Sequence, residues 1–378
     1  MQPIRLISLA LFLILGAISM NAQAIPSFAR QEGVKCSACH SAWPQLNAKG
    51  RQFKENGYRF EEDLNEVRKI SEVLDDGAPL SAIVIARPYD KKKSGDIKNR
   101  AFHEYELFAA GALNNNWSAY AEIEAEDETG FSPVVAGGAL NYRFNSALNV
   151  GFTWSPYFSA DSYGFLGDGF RMTRGHVGAI NSAFGGADGG SGLRGTRQVT
   201  SIYGRPVKQL FYTVGYSGIA SDAEGEDASN LSARIAYDIT PNLMAGGFYV
   251  DGQNSTTQQN FSRTGFDFQA DILGGRLQGM FVNGDDDNTG GGSQTNQAVS
   301  VQGMYFIKQG GVPTWVPVVR YDTFEKNDGK DSTSELTLNL TRYFAQNIKG
   351  YIEYWQQLDV PAGKDKDDRI TAQISLAF

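Results

Sequence analysis

From Leu80 to the C-terminus the chain is a succession of segments of about ten residues in which apolar and polar side chains alternate. The last of them, RITAQISLAF, sets Ile370, Ala372, Ile374, Leu376 and Phe378 on one face and Arg369, Thr371, Gln373 and Ser375 on the other. TSELTLNLTRYF repeats the scheme with Leu336, Leu338 and Leu340 against Glu335, Thr337 and Asn339. LSARIAYDIT does so with Leu231, Ala233, Ile235 and Tyr237 against Ser232, Arg234 and Asp238. A period of two predicts strands with one greasy and one wet face, as in a half-buried soluble sheet or a transmembrane barrel.

The connections favour the barrel. LNNN, RFNSA, ITPN and AQN are tight, whereas SDAEGEDASN, NGDDDNTGGGSQTN and EKNDGKDST are long and acidic, and the two kinds alternate. Short turns at one end and long loops at the other are the habit of outer-membrane barrels, and the chain closes on an outward-facing Phe378. Sixteen strands are predicted, starting near residues 80, 101, 116, 133, 147, 196, 208, 230, 242, 262, 275, 296, 313, 332, 347 and 368. Residues 159–195 are either one more hairpin or a long inserted loop. A barrel of this size encloses a lumen wide enough for a small plug.

The N-terminal part reads differently. Residues 1–24 have the form of a cleaved secretory signal: Arg5, an apolar run from Leu6 to Ile18, and Ala22-Gln23-Ala24 at the cleavage site. The apolar run is too short to span a bilayer, which takes roughly 20 residues. Between them, residues 25–79 form a segment too small for a self-sufficient core without a staple. In it Pro44 can open a helix and Gly57 close one, with Leu46, Gly50 and Phe53 on one face. Residues 61–76 read as a second short helix or a polar linker. The domain plan is therefore signal peptide 1–24, N-terminal segment 25–79 and barrel 80–378.

Composition adds limits. The formal net charge is −8, which excludes nucleic acid as a natural partner. The two cysteines of the chain, Cys36 and Cys39, are followed at once by His40. In an exported protein a disulfide is the plain alternative. C-x-x-C-H, however, is the signal for covalent attachment of one haem c, with two thiols for the vinyl groups and His40 as proximal ligand of the iron, hence a metal ligand. A thioredoxin-like use wants a βαβ context, and zinc wants two further ligands nearby. A sixth iron ligand must come from the barrel. Strand parity turns Met244, Met280 and Met304 inward and His103 outward with Tyr105 and Leu107, while Met172 and His176 fall in the long loop. Met304, Met280 and His103 are the candidates, although for each lumen filling or interface decoration is the favoured reading. A methionine there would raise the potential. Glu104, Glu106, Glu122, Glu124 and Glu126 also point inward, either as a cation-gathering cluster or as ordinary hydrated wall. The acidic stretches at 222–227 and 285–287 either attract cations or stay solvated.

The run FARQEGVKCSACH…WPQLNAKGRQFKENGY resembles the fused monohaem cytochrome–porin family of the outer membrane of iron-oxidising bacteria. The residues carrying the resemblance are Phe28, Ala29, Arg30, Gln31, Cys36, Cys39, His40, Pro44, Leu46, Asn47, Gly50, Arg51, Phe53, Lys54, Gly57 and Tyr58. It departs from the pattern at Glu32, where threonine is usual, and at Lys49, where an aromatic is common. Beyond residue 60 the likeness is one of architecture.

The combined expectation is an all-β protein: an antiparallel transmembrane β-barrel of about 16 strands, its lumen plugged by a small α-helical c-type cytochrome segment. The resemblance implies an electron-transfer protein of the bacterial outer membrane, which could act as an Fe(II)-oxidising oxidoreductase. Its partners would be extracellular Fe(II) or another redox donor, a periplasmic c-type cytochrome and the lipid bilayer. The alternatives are a diffusion porin whose haem senses or anchors, outward transfer to an external acceptor, and a soluble β-rich periplasmic cytochrome.

Overall fold

The computed structural model describes residues 26–61 and 79–378, apart from 164, 167–170, 183, 186, 190–191 and 227–228. The expected signal peptide and nearly all of the expected helix or linker at 61–76 lie outside the described residues.

Seventeen strands form one closed antiparallel barrel. In chain order the first eight are β3 (Leu80–Lys92), β4 (Ile97–Ala112), β5 (Trp117–Glu126), β6 (Val134–Arg143), β7 (Asn149–Ser155), β8 (Arg197–Val207), β9 (Leu210–Ser217) and β10 (Asn230–Thr240). The rest are β11 (Leu243–Gln253), β12 (Asn260–Ile272), β13 (Gly275–Asp287), β14 (Ser293–Tyr305), β15 (Ile307–Gln309), β16 (Val312–Lys326), β17 (Asp331–Ala345), β18 (Ile348–Asp359) and β19 (Asp368–Ala377). Both β14 and β15 pair with β16, so β15 is the continuation of β14 past a break at Phe306, and the wall has sixteen staves. Strand β19 pairs with β3 and closes the ring.

The wall is apolar outside and polar inside. On β19 Ile370 and Ile374 are exposed while Arg369, Thr371, Gln373 and Ser375 are buried. On β10 Leu231, Ile235 and Tyr237 are exposed while Ser232 and Arg234 are buried. A soluble sheet would bury the leucines; a surface of this kind suits contact with lipid. Several strands outrun the ten-residue estimate. The supposed acidic loop at 285–287 is the end of β13, where Asp286 pairs with Arg263 at 2.7 Å.

Polar lumen residues are buried because the lumen is filled. Residues 156–196 are the inserted loop and not another hairpin. They turn inward, carry the short helix α3 (Gly178–Asn181), and bury Tyr157, Phe158, Phe165, Ile180 and Phe184 against Phe248, Val250, Met280 and Val282 of the wall. Buried arginines face this filling with acidic partners: Arg197 to Asp188 at 2.7 Å, Arg234 to Asp267 at 2.6 Å, and Arg320 to Asp322 at 2.8 Å. Unpaired, such charges could not be held out of water.

The N-terminal segment enters the barrel at the short-turn end. It comprises α1 (Pro26–Gln31), the small hairpin β1 (His40–Ala42) and β2 (Gln45–Leu46), and α2 (Ala48–Glu55). Pro44 does not open the helix, as its sequence position had suggested; with Trp43 it forms the turn between β1 and β2. Asn47 caps α2 instead, its side-chain oxygen accepting from the Gly50 N–H at 3.0 Å. Gly57 ends the helical stretch at φ +70°, a conformation that favours glycine.

Candidate functional site

The segment is tied to the wall around its circumference. Arg276 of β13 donates to Gln45 Oε1 at 2.9 Å and to the Leu46 carbonyl at 3.0 Å. Arg205 of β8 pairs with Glu55, Lys54 donates to the Asp161 carbonyl at 2.7 Å, and Tyr343 of β17 donates to the Trp43 carbonyl. Arg59 reaches the carbonyls of Asn114, Asn115 and Trp117 in the turn between β4 and β5. Inside the segment, Phe28 stacks on Tyr58 at 4.8 Å and meets Phe53 edge-on at 5.2 Å. Lys49, the departure from the resembled pattern, places its ammonium 4.0 Å over the Phe60 ring.

Between this segment and strands β4 to β8 lies a cavity of about 290 Å³. From the segment it is lined by Cys36, Cys39, His40, Leu46, Gly50 and Phe53, and from the wall by Phe108, Tyr120 and Tyr203 among others. The face of Leu46, Gly50 and Phe53 therefore does border the cavity, although Leu46 precedes the helix. Gly50 is required for another reason than closeness to a ligand: a Cβ there would stand 2.1 Å from the Cys39 carbonyl oxygen. Glycine lets α2 lie directly on the turn that carries the thiols.

Cys36 and Cys39 stand at the ends of one short 3₁₀ turn, with no disulfide between them. Burial pushes the Cys39 thiol up to about 11, against the opposing charge of Lys49, so it is not the activated thiolate of a redox enzyme. Among the described residues, no group of three metal-ligating side chains includes either cysteine. His40 Nδ1 lies 3.0 Å from the Pro44 carbonyl oxygen. A carbonyl can only accept, so Nδ1 carries the proton and Nε2 keeps its lone pair. Burial lowers the imidazole pKa to about 4, only partly offset by that hydrogen bond. A neutral, oriented imidazole beside two thiols on an apolar cavity fits a c-type haem: Cys36 and Cys39 would tether it and His40 would ligate its iron.

The proposed sixth ligands lie elsewhere. Met244, Met280 and Met304 do face inward and are buried, but none of them lines this cavity, and neither does His103. Met280 packs on the inserted loop, and Met304 shares a buried cluster with Cys36, Trp43 and Met172. The Met172 sulfur lies 3.7 Å from Tyr343 Oη, whose proton goes to the Trp43 carbonyl. His103 corrects the parity argument: it is buried, not outward, because β4 bulges beside it. Its cluster with Asp127 and Glu128 was invisible to a reading that assumed strict alternation. The residues that clamp the segment, Arg205, Arg276 and Arg59, were equally unmarked, since lumenal arginines carry no local signal of their partners.

No family model matches the chain, and no curated protein matches it in sequence. Solved structures match in fold. An anion-selective porin from Comamonas acidovorans aligns with a TM-score of 0.60 at 16% identity, over 79% of this chain and 98% of that one. OmpF of Salmonella typhi, solved with daunomycin, aligns at TM-score 0.56 and 13% identity, over 79% and 97%. The outer-membrane channel DcaP of Acinetobacter baumannii gives 0.53 at 13% identity, over 79% and 95%. At such identities the likeness is one of fold, and the fold of this chain is a sixteen-stranded porin-type barrel.

Proposed function

We propose that this barrel resides in the bacterial outer membrane and carries electrons across it by way of one haem c held on the N-terminal segment. The observation that carries the reading is the pairing of Cys36 and Cys39 with an imidazole whose Nδ1 is committed to the Pro44 carbonyl, on a cavity enclosed by the wall. Bound there, haem c supplies a one-electron couple. Cys36 and Cys39 would tether it and His40 would ligate its iron, while Phe28, Phe53 and Tyr58 would exclude water and the barrel would insulate it from lipid. The donor in this reading is extracellular Fe(II), which loses one electron and leaves as Fe(III); the acceptor is a periplasmic c-type cytochrome. The resemblance of residues 25–60 to cytochrome–porin fusions supports the haem and an electron-transfer role, and the porin-type fold with its apolar exterior supports the membrane.

The test is a spectrum of the purified full-length protein. A haemochrome of c type that survives denaturation, and reduction on adding Fe(II) to intact proteoliposomes, is the expected result. A colourless protein would end this account.

A second reading, a diffusion porin with a redox appendage, is favoured by the likeness to porins. It requires small solutes to pass a lumen in which Arg205, Arg276 and Tyr343 grip the segment. Liposome swelling separates the two: the plugged conduit leaks little, the porin leaks whatever the state of its haem.

A further inference from the structure

Strand β4 loses its alternation near its long-loop end. Ile85 of β3 pairs with Glu104, yet Arg87 pairs with Arg100, so β4 accommodates two extra residues in that interval. Phe102 turns out, 5.6 Å from the Phe131 ring, and His103 turns in beside Glu104, with 3% and 5% of their surfaces exposed.

The two nitrogens of His103 have different surroundings. Nδ1 is 2.9 Å from Asp127 Oδ1, and Asp127 is itself held by Arg100, Nε to Oδ2 at 2.8 Å. Glu128 Oε2 lies 3.5 Å from the same Nδ1 and pairs with Arg100. Donation from Nδ1 to Asp127 leaves the Nε2 lone pair facing Glu104, whose Oε2 is 3.6 Å away, too far for a hydrogen bond. Among the described residues no hydrogen bond to Nε2 is formed, and the ring is almost wholly buried. Across the strand ladder from Glu104 stands Glu126, and one ligand atom each from His103, Glu104 and Glu126 lies within 4.8 Å of the other two. Donors about 2.1 Å from one shared ion stand roughly 3.0–3.5 Å apart, so a small closure brings these three onto a metal. A carboxylate behind the imidazole, fixing its tautomer, is the usual support of a ligating histidine.

The geometry points to a divalent transition-metal site formed by His103, Glu104 and Glu126, with Asp127 as positioning residue. One imidazole with carboxylates selects ions such as Mn²⁺, Fe²⁺ and Zn²⁺ over Ca²⁺ and Mg²⁺. The site heads a carboxylate ladder. Glu106 pairs with Glu124 and Phe108 with Glu122, and Tyr120 donates to Glu122 Oε2 at 3.3 Å while lining the cavity beside the cysteines. Arg171 of the inserted loop supplies opposing charge to Glu104, Glu106 and Glu122, which a bound cation would share. In the electron-transfer reading, and resting on it, this is where Fe(II) is held as substrate.

Purified full-length protein carrying its haem is titrated with Mn(II), followed by loss of the free-ion EPR signal. The expected result is one bound ion, weakened tenfold or more by His103→Ala and by Glu126→Gln, and 10- to 100-fold by Asp127→Asn. Heat-modifiable electrophoretic mobility verifies that each barrel is folded; if His103→Ala fails to fold, Glu126→Gln decides. Unaltered Mn(II) binding in folded variants overturns the site. Anoxic Fe(II) then reads the substrate clause: Glu126→Gln should slow haem reduction by Fe(II) tenfold and leave reduction by dithionite unchanged. Lost Mn(II) binding with an unchanged Fe(II) rate overturns that clause alone. Intact Mn(II) binding in a protein that carries no haem leaves the site standing and sinks the electron-transfer reading.

Discussion

Glu55, the last residue of α2, and Arg205 of β8 form a two-pronged ion pair, Nε to Oε2 at 2.5 Å and Nη2 to Oε1 at 3.1 Å. The pair joins residues 150 positions apart and sits where the N-terminal segment meets the wall. Arg205 also reaches Asp238 at 2.9 Å, whereas among the described residues Glu55 has only the Ser162 hydroxyl besides. Removing the arginine therefore strands a buried carboxylate, while removing the glutamate leaves the guanidinium paired. We expect Arg205→Ala to loosen the segment by about 3 kcal/mol and Glu55→Ala by clearly less. Planar-bilayer conductance reads the difference: Arg205→Ala should open far more often than the wild type. Equal conductance in all three proteins would show that the pair does not hold the plug.

The thiols give a graded outcome. Cys36→Ser or Cys39→Ser leaves one possible thioether and should lower, not abolish, haem staining after denaturing electrophoresis. The double substitution should abolish it. His40→Ala should keep the covalent bond and change the Soret position, because the imidazole is lost and the tethers are not.

Gly50→Ala meets backbone, not a yielding side chain, with the Cys39 carbonyl oxygen at 2.1 Å and its carbon at 2.9 Å. The helix must lift off the thiol turn, at a cost of about 1–3 kcal/mol. Haem content per polypeptide should fall, and the segment should become more sensitive to protease than the wall.

Lys54 provides a pH test with a definite sign. Burial lowers its pKa to about 8, against the pull of Asp161 and Glu55. In the unfolded chain the amine keeps its proton up to about 10.4. Between these values the undocked form binds more protons, so docking strengthens as pH rises from 8 towards 10. Protection of the segment from protease should increase over that window in the wild type. Lys54→Met should flatten the slope; a slope that persists would assign it to another group.

Much of this molecule was legible because a barrel's signal is local. Ile370 and Ile374 on one face and Arg369 and Thr371 on the other declare the strand without reference to any neighbour, and the starts of β3, β5, β8, β10 and β13 fall within a residue or so of the pattern. The inward set of Met244, Met280 and Met304 followed from the same parity. What was not legible depends on contacts distant in sequence. His103 is turned inward by a bulge that only the pairing of β3 with β4 imposes. Pro44 could have started a helix, and it serves a turn because Asn47 caps the helix three residues later. The inserted loop has no periodicity at all, since its aromatic residues are placed by the wall that surrounds them. The proposed haem site stands between: the motif named Cys36, Cys39 and His40, but the orienting role of Pro44 and the closeness of Gly50 to Cys39 needed coordinates.

The ring closes between β19 and β3, the last strand of the chain and the first. A cylinder sealed by the pairing of β19 with β3 stays open-sided until both strands are in place. The N-terminal segment lies beside this seam, with Arg30 bound to the Leu80 carbonyl at the start of β3. A segment seated at the seam is covered when the ring shuts beside it. A truncation that removes β19 would leave two raw sheet edges and an uncovered interior, a form destined for aggregation and degradation and not for partial activity.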